Sequence, residues 1–135
     1  MEKFEILEHK ADLKIRAFGK TKEDLFLNIL SGMSDSMKPE IEAGTRVKRE
    51  IKIESLDSPA LLVDFLNEAL YQSQTNKEVY NGVKFSKFSD NFLEGELTGQ
   101  KAKRFGEDIK AVTHHGLEIN QNKAGIWEAI VLFDI

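Results

Sequence analysis

Along the segment RVKREIKIES, Val47, Arg49, Ile51 and Ile53 alternate with Lys48, Glu50, Lys52 and Glu54. A two-residue period of this kind predicts a half-buried strand. Leu13, Ile15 and Ala17 alternate with Lys14, Arg16 and Phe18 in the same way, and the short apolar run over 4–7 predicts a strand just before them. Between these two lies Glu8-His9-Lys10-Ala11-Asp12, read as a turn or bulge.

The period then changes. Gly19 breaks the strand, and Thr21 suits a helix N-cap, with Glu23 and Asp24 in the first turn where carboxylates favour the positive helix end. Leu25, Phe26, Ile29, Leu30, Met33 and Met37 recur at helical spacing until Pro39 ends the run. A second helix is predicted from Ser58-Pro59, with serine as cap and proline in the first turn. Leu61, Leu62, Phe65, Leu66, Ala69 and Leu70 form its buried stripe. Beyond it the sequence predicts antiparallel strands over 79–88 and 92–98 around the polar turn Ser89-Asp90-Asn91. An exposed loop is expected over 100–108, strands over 109–113 and 117–119, a turn over 120–125 and a closing strand over 126–133. Strands that follow one another without helices between them point to an α+β fold, one domain over 1–135, with a mixed, mainly antiparallel β-sheet packed with two α-helices.

Composition narrows the function. The 135 residues carry a net charge of −4, with 41% apolar and 31% charged residues and no cysteine. These proportions are those of a folded globular domain. Thiolate nucleophiles, thiolate zinc sites and disulfides are excluded. A negative balance argues against nucleic acid as the main direct ligand, because phosphate backbones are gripped by a basic surplus. The start MEKFEILEHK lacks the apolar run of a signal peptide, and no segment has the apolar length of a membrane helix, so a cytoplasmic protein with no membrane partner is expected.

No phosphate loop, GxGxxG, GxSxG or HExxH occurs. The histidines are His9, His114 and His115. Adjacent strand residues face opposite ways, so His114 and His115 do not readily share an ion. Asp12 lies between two strands, and Asp134 stands beside Ile135, whose carboxylate ends the sequence. If the three come together, they suit a hard cation such as Ca²⁺ or Mg²⁺ and repel one another without it; a solvated Asp134 is the other reading. Asp64, Asn67 and Glu68 share one helix face, read as a solvated surface or as a docking or second metal face. Lys110 is a cation within an apolar segment, facing either solvent or a carboxylate cluster or phosphate-bearing partner. Lys101, Lys103 and Arg104 have only Phe105 as a nearby ring, so a solvated loop is favoured over an RNA-stacking surface.

Taken in series, EHKADLKIRAFGKTKEDLF, LLVDFLNEALY, IKAVTHHGLEI and WEAIVLFDI resemble the archease family in order and spacing, from His9 to Ile135. The resemblance implies an accessory protein, not an enzyme, that assists the tRNA-splicing RNA ligase. That ligase joins a 2′,3′-cyclic-phosphate or 3′-phosphate end to a 5′-hydroxyl. The accessory protein promotes guanylylation of the ligase histidine and multiple turnover, with RNA as an indirect partner. By the same resemblance the metal site maps onto Asp12, Asp134 and Ile135, with calcium as the expected ion, and a functional lysine onto Lys110. This sequence departs from the family pattern in having Lys10 within His9-Lys10-Ala11-Asp12 where the family has threonine, His114 where it has tyrosine, and Phe65 where tryptophan is common. The competing reading is a metal-dependent hydrolase or nucleotidyl-transfer enzyme built on the Asp12 cluster, which needs a water-activating base in a substrate-sized pocket. A third, an RNA chaperone, needs a basic, aromatic face that the charge disfavours.

Overall fold

The computed structural model describes residues 2–8 and 12–135. His9, Lys10 and Ala11 lie outside the described residues. The element order is β1 (Phe4–Glu8), β2 (Asp12–Gly19), α1 (Lys22–Ser36), β3 (Pro39–Ile41), β4 (Val47–Glu54), α2 (Ser58–Asn76), β5 (Glu78–Phe88), β6 (Phe92–Phe105), β7 (Ala111–Thr113), β8 (Ile119–Gln121) and β9 (Trp127–Asp134). The strands form two antiparallel sheets rather than one. In the first, the order is β1-β2-β9-β7, with β8 also on β9. In the second, β6 pairs with β3, β4 and β5. Each helix touches strands of both sheets, α1 packing on β2 and β5 and α2 on β5 and β7.

Burial follows the sequence period. In β2, Leu13, Ile15 and Ala17 are buried while Lys14, Arg16 and Phe18 are half-exposed. Phe26, Phe65, Phe85 and Phe88 meet as tilted and edge-to-face pairs with centroids 5.0 to 6.5 Å apart. Such pairs add about 0.5–1.5 kcal/mol each beyond the area they bury. Phe65 is fully buried in this cluster.

One helix start is as the pattern predicts and the other differs. Thr21 caps α1, its hydroxyl accepting from the Asp24 amide at 3.0 Å. For α2 the cap is Asp57, not Ser58: Asp57 has extended backbone and its carboxylate accepts from the Ala60 amide at 2.9 Å. The Ser58 hydroxyl is thereby free to donate to the Asp90 carbonyl at 2.8 Å, tying α2 to the β5–β6 turn.

The chain over 100–108 is not a loop for most of its length, since β6 continues to Phe105. Its polar side chains are those of an exposed strand face, and Ala102 is the buried residue among them. The partner of this extension is β3, too short for a periodic signal; it begins at Pro39, the residue that stops α1.

A buried ionic group also escaped the sequence reading. Arg49 on β4 makes a bidentate pair with Glu78 on β5, at 2.9 and 2.8 Å, and the Tyr80 hydroxyl donates to the same carboxylate at 2.7 Å. Glu78 is 2% exposed. The hydrogen-bonded guanidinium of Arg49 holds its carboxyl below the usual range. Burial, reinforced by the hydrogen bond to Glu78, pushes the Tyr80 phenol up to about 12.

Candidate functional site

The site is made by the pairing of β2 with β9. Asp12 is the first residue of β2 and Asp134 the last of β9, and they are direct cross-strand partners. Directly opposed residues lie about 5 Å apart at Cα and project to the same face. Like charges in that arrangement repel. Asp12 is therefore a strand residue rather than a turn residue. The alternation explains its direction, because Leu13 points into the core and Asp12 out of it.

On the other side of β9, Ala111 pairs with Asp134, and the Lys110 amide donates to the Asp134 carbonyl at 2.7 Å. Lys110 precedes β7 and its side chain is exposed. The neighbouring Ile109 and Val112 are buried, which fixes the segment to the core and turns Lys110 outward. Asp12, Asp134 and Lys110, singled out on sequence, thus belong to one end of one sheet. Ile135 follows directly and is 48% exposed.

Asp12 also lines a cavity of about 280 Å³ with Ile6, Leu13, Asp35, Ser36, Lys38, Glu107, Ile109 and Ile135. Among the described residues, Oδ1 of Asp12 is buried and meets no hydrogen-bond partner. A buried carboxylate oxygen is ordinarily paired, so an orphan one beside a second carboxylate has the chemistry of a cation ligand. The residues present therefore fit a hard cation. Among the described residues, no three His, Asp or Glu side chains gather closely enough to hold an ion by themselves. An ion held at Asp12 and Asp134 would need its remaining oxygens from backbone, water or Ile135. Lys38 supplies a nearby positive charge, but its ammonium is directed to Glu107 at 3.4 Å. Asp35, Lys38 and Glu107 were not picked out on sequence; α1 and the segment after β6 bring them here, and no local motif announces that approach.

The remaining candidates separate from this site. His114 and His115 are exposed in the connection between β7 and β8, so they do not occupy consecutive strand positions. Of the shared α2 face, Asp64 accepts from the Ser55 hydroxyl at 2.6 Å, and Glu68 accepts from Gln72 at 3.2 Å. Asn67 instead turns to the β7 backbone. Lys101, Lys103 and Arg104 are exposed on β6, where Arg104 pairs with Glu40 at 2.7 Å, and Phe105 packs against the core. No helix among the described residues is long and apolar enough to cross a membrane.

Comparison with known proteins bears on the whole chain. The Archease protein family model matches residues 4–135. The protein archease of Methanosarcina barkeri is 33% identical over 142 aligned residues, which cover 99% of this chain and 97% of that protein. Protein archease of Thermococcus kodakarensis is 30% identical, with all of both chains covered. The solution structure of Methanobacterium thermoautotrophicum protein 1598 superposes with a TM-score of 0.75 at 28% identity, covering 100% of both chains. A Thermotoga maritima crystal structure, described as an archease and possible chaperone, gives a TM-score of 0.70 over 96% of this chain and 94% of that one. At 19% identity it speaks to the fold alone.

Proposed function

The chain belongs to the archease family, and on that premise we propose that it is a cation-dependent accessory protein of the tRNA-splicing RNA ligase, promoting guanylylation of the ligase histidine and its repeated turnover without a reaction of its own. The observation that carries this reading is the pairing of Asp12 with Asp134 beside the backbone-anchored Lys110. Two opposed carboxylates, with one buried oxygen that has no partner among the described residues, favour a divalent cation, and calcium suits their hard oxygen donors. Asp12, Asp134 and the Ile135 carboxylate are the proposed ligands. When bound, the cation supplies neutralising charge at the sheet end.

Guanylylation moves a nucleotide phosphate onto an imidazole, and negative charge develops as it does so. Preorganised positive charge facing that phosphate lowers the barrier. The exposed Lys110 ammonium can offer it, and the Asp12–Asp134 pair sets the face on which the ligase meets it. The cavity beside Asp12, at about 280 Å³, falls just below the usual range of small-molecule sites. The family match over residues 4–135 is what supports an accessory role over the hydrolase or nucleotidyl-transferase alternative. The test is RNA ligation by the cognate ligase with and without this protein, at limiting ligase. Many joined ends per ligase only when this protein is present would support the reading; identical progress curves would reject it.

A further inference from the structure

Lys110 lies in a stretch, residues 109–112, that α2 reaches with two side-chain amides. Asn67 applies both ends of its amide to one residue. The Val112 amide donates to Asn67 Oδ1 at 3.0 Å, and Asn67 Nδ2 donates to the Val112 carbonyl at 3.2 Å. An adjacent strand ordinarily satisfies such an N–H and C=O; here a helix side chain does. Two turns later, Gln74 Nε2 donates to the Ile109 carbonyl at 2.7 Å. Between these anchors the Lys110 amide donates to the Asp134 carbonyl. The backbone on both sides of Lys110 is therefore fixed to α2, and its own amide is fixed to β9.

The spacing follows from geometry. Asn67 and Gln74 are seven residues apart, so they lie on one helix stripe about 10 Å apart along the axis. An extended segment covers that distance in three residues, and the anchored residues Ile109 and Val112 are three apart. Helix and segment are matched in length, and Lys110 falls between the two anchors. The Ile109 and Val112 side chains are already buried and hold the segment to the core. The amide contacts add what apolar packing lacks, which is direction and register.

We infer that Asn67 and Gln74 are positioning residues that hold the Lys110 ammonium in register with the Asp12–Asp134 pair for the ligase. This rests on the reading that Lys110 serves guanylylation. In this role Asn67 and Gln74 act through Lys110.

Asn67→Ala and Gln74→Ala test the inference, each made in the full chain and in a Lys110→Ala background. The readouts are the rate of GTP transfer to the ligase at saturating accessory protein, the calcium-induced shift in melting temperature, and amide hydrogen exchange. Losing one such hydrogen bond is expected to slow the stimulated rate about fivefold. The calcium shift should be unchanged, and in Asn67→Ala the Val112 amide should exchange faster. In the Lys110→Ala background both substitutions should have no further effect on the rate. Gln74 is exposed, and alanine there favours the helix, so Gln74→Ala decides the matter if Asn67→Ala fails to fold. Full stimulation by both variants, or the same proportional loss with and without Lys110, would overturn the positioning role. Wild-type protein that does not stimulate the ligase would reject the underlying reading, and this inference with it.

Discussion

Asp12 stands directly opposite Asp134 where β2 meets the end of β9. Two carboxylates so placed are a liability to an ion-free fold and an asset to one that binds a cation. In chelator, Asp12→Asn should therefore raise stability, by roughly 0.2–1 kcal/mol, since an opposed like-charge pair is relieved. In calcium the order should reverse, because a cation at about 100 times its Kd stabilises the wild type by about 2.7 kcal/mol. Thermal unfolding of both proteins in both media checks the crossing. Parallel behaviour in the two media would rule out Asp12 as a ligand.

The carboxylate of Ile135 is tested separately. Extending the chain past Ile135 by a short neutral tag should weaken calcium binding, measured by titration calorimetry, and stimulation of the ligase together. The same tag placed before Met1 should leave calcium affinity intact. Equal affinities for the two tagged proteins would remove Ile135 from the ligand set.

The pH dependence of stability should be set by the second sheet. The Glu78 carboxyl is held below its ordinary value of 4.5 by Arg49. Its contribution is thus present above about pH 4.5 and is lost as pH falls through the folded value. The Tyr80 phenol is raised from 10.0 to about 12. The unfolded chain then releases its proton first, so stability present below pH 10.0 declines as pH rises toward about 12. Glu78→Gln should flatten the acid limb of a urea-midpoint profile, and Tyr80→Phe the alkaline limb. Unaltered limbs in both variants would show that other groups govern them.

Much of this architecture is written in local periodicity. The alternation of Leu13, Ile15 and Ala17 and the stripe from Leu25 to Met33 each specify a buried face, and those faces are buried. What periodicity does not carry is partnership across the chain. Nothing near Arg49 announces Glu78, because the pair forms only when β4 and β5 flank β6. The division into two sheets has the same origin: antiparallel strands read alike whichever sheet they join. At the site, Asp12, Asp134 and Lys110 were legible as odd residues in their contexts and through family resemblance. Asn67 was legible only as part of a shared helix face and not as a partner of Val112, since an amide on a half-exposed helix face looks the same whether it meets water or a backbone. The loop expected over 100–108 failed because the polar face of β6 outnumbers its buried residue, Ala102.

The central claim is that one end of one sheet activates a second protein. Transfer of radiolabelled GTP to the ligase measures this most directly, using wild-type protein, Asp12→Ala, Asp134→Ala and Lys110→Ala, each confirmed as folded by circular dichroism. Lys110 is exposed, so its substitution should change stability by only about 0.5 kcal/mol. The expected result is rapid labelling of the ligase with wild type, at least about tenfold slower labelling with each variant, in keeping with the loss of one charge-assisted contact, and no turnover of GTP or RNA by this protein alone. Undiminished labelling with all three variants, or GTP or RNA turnover by the isolated protein, would contradict it.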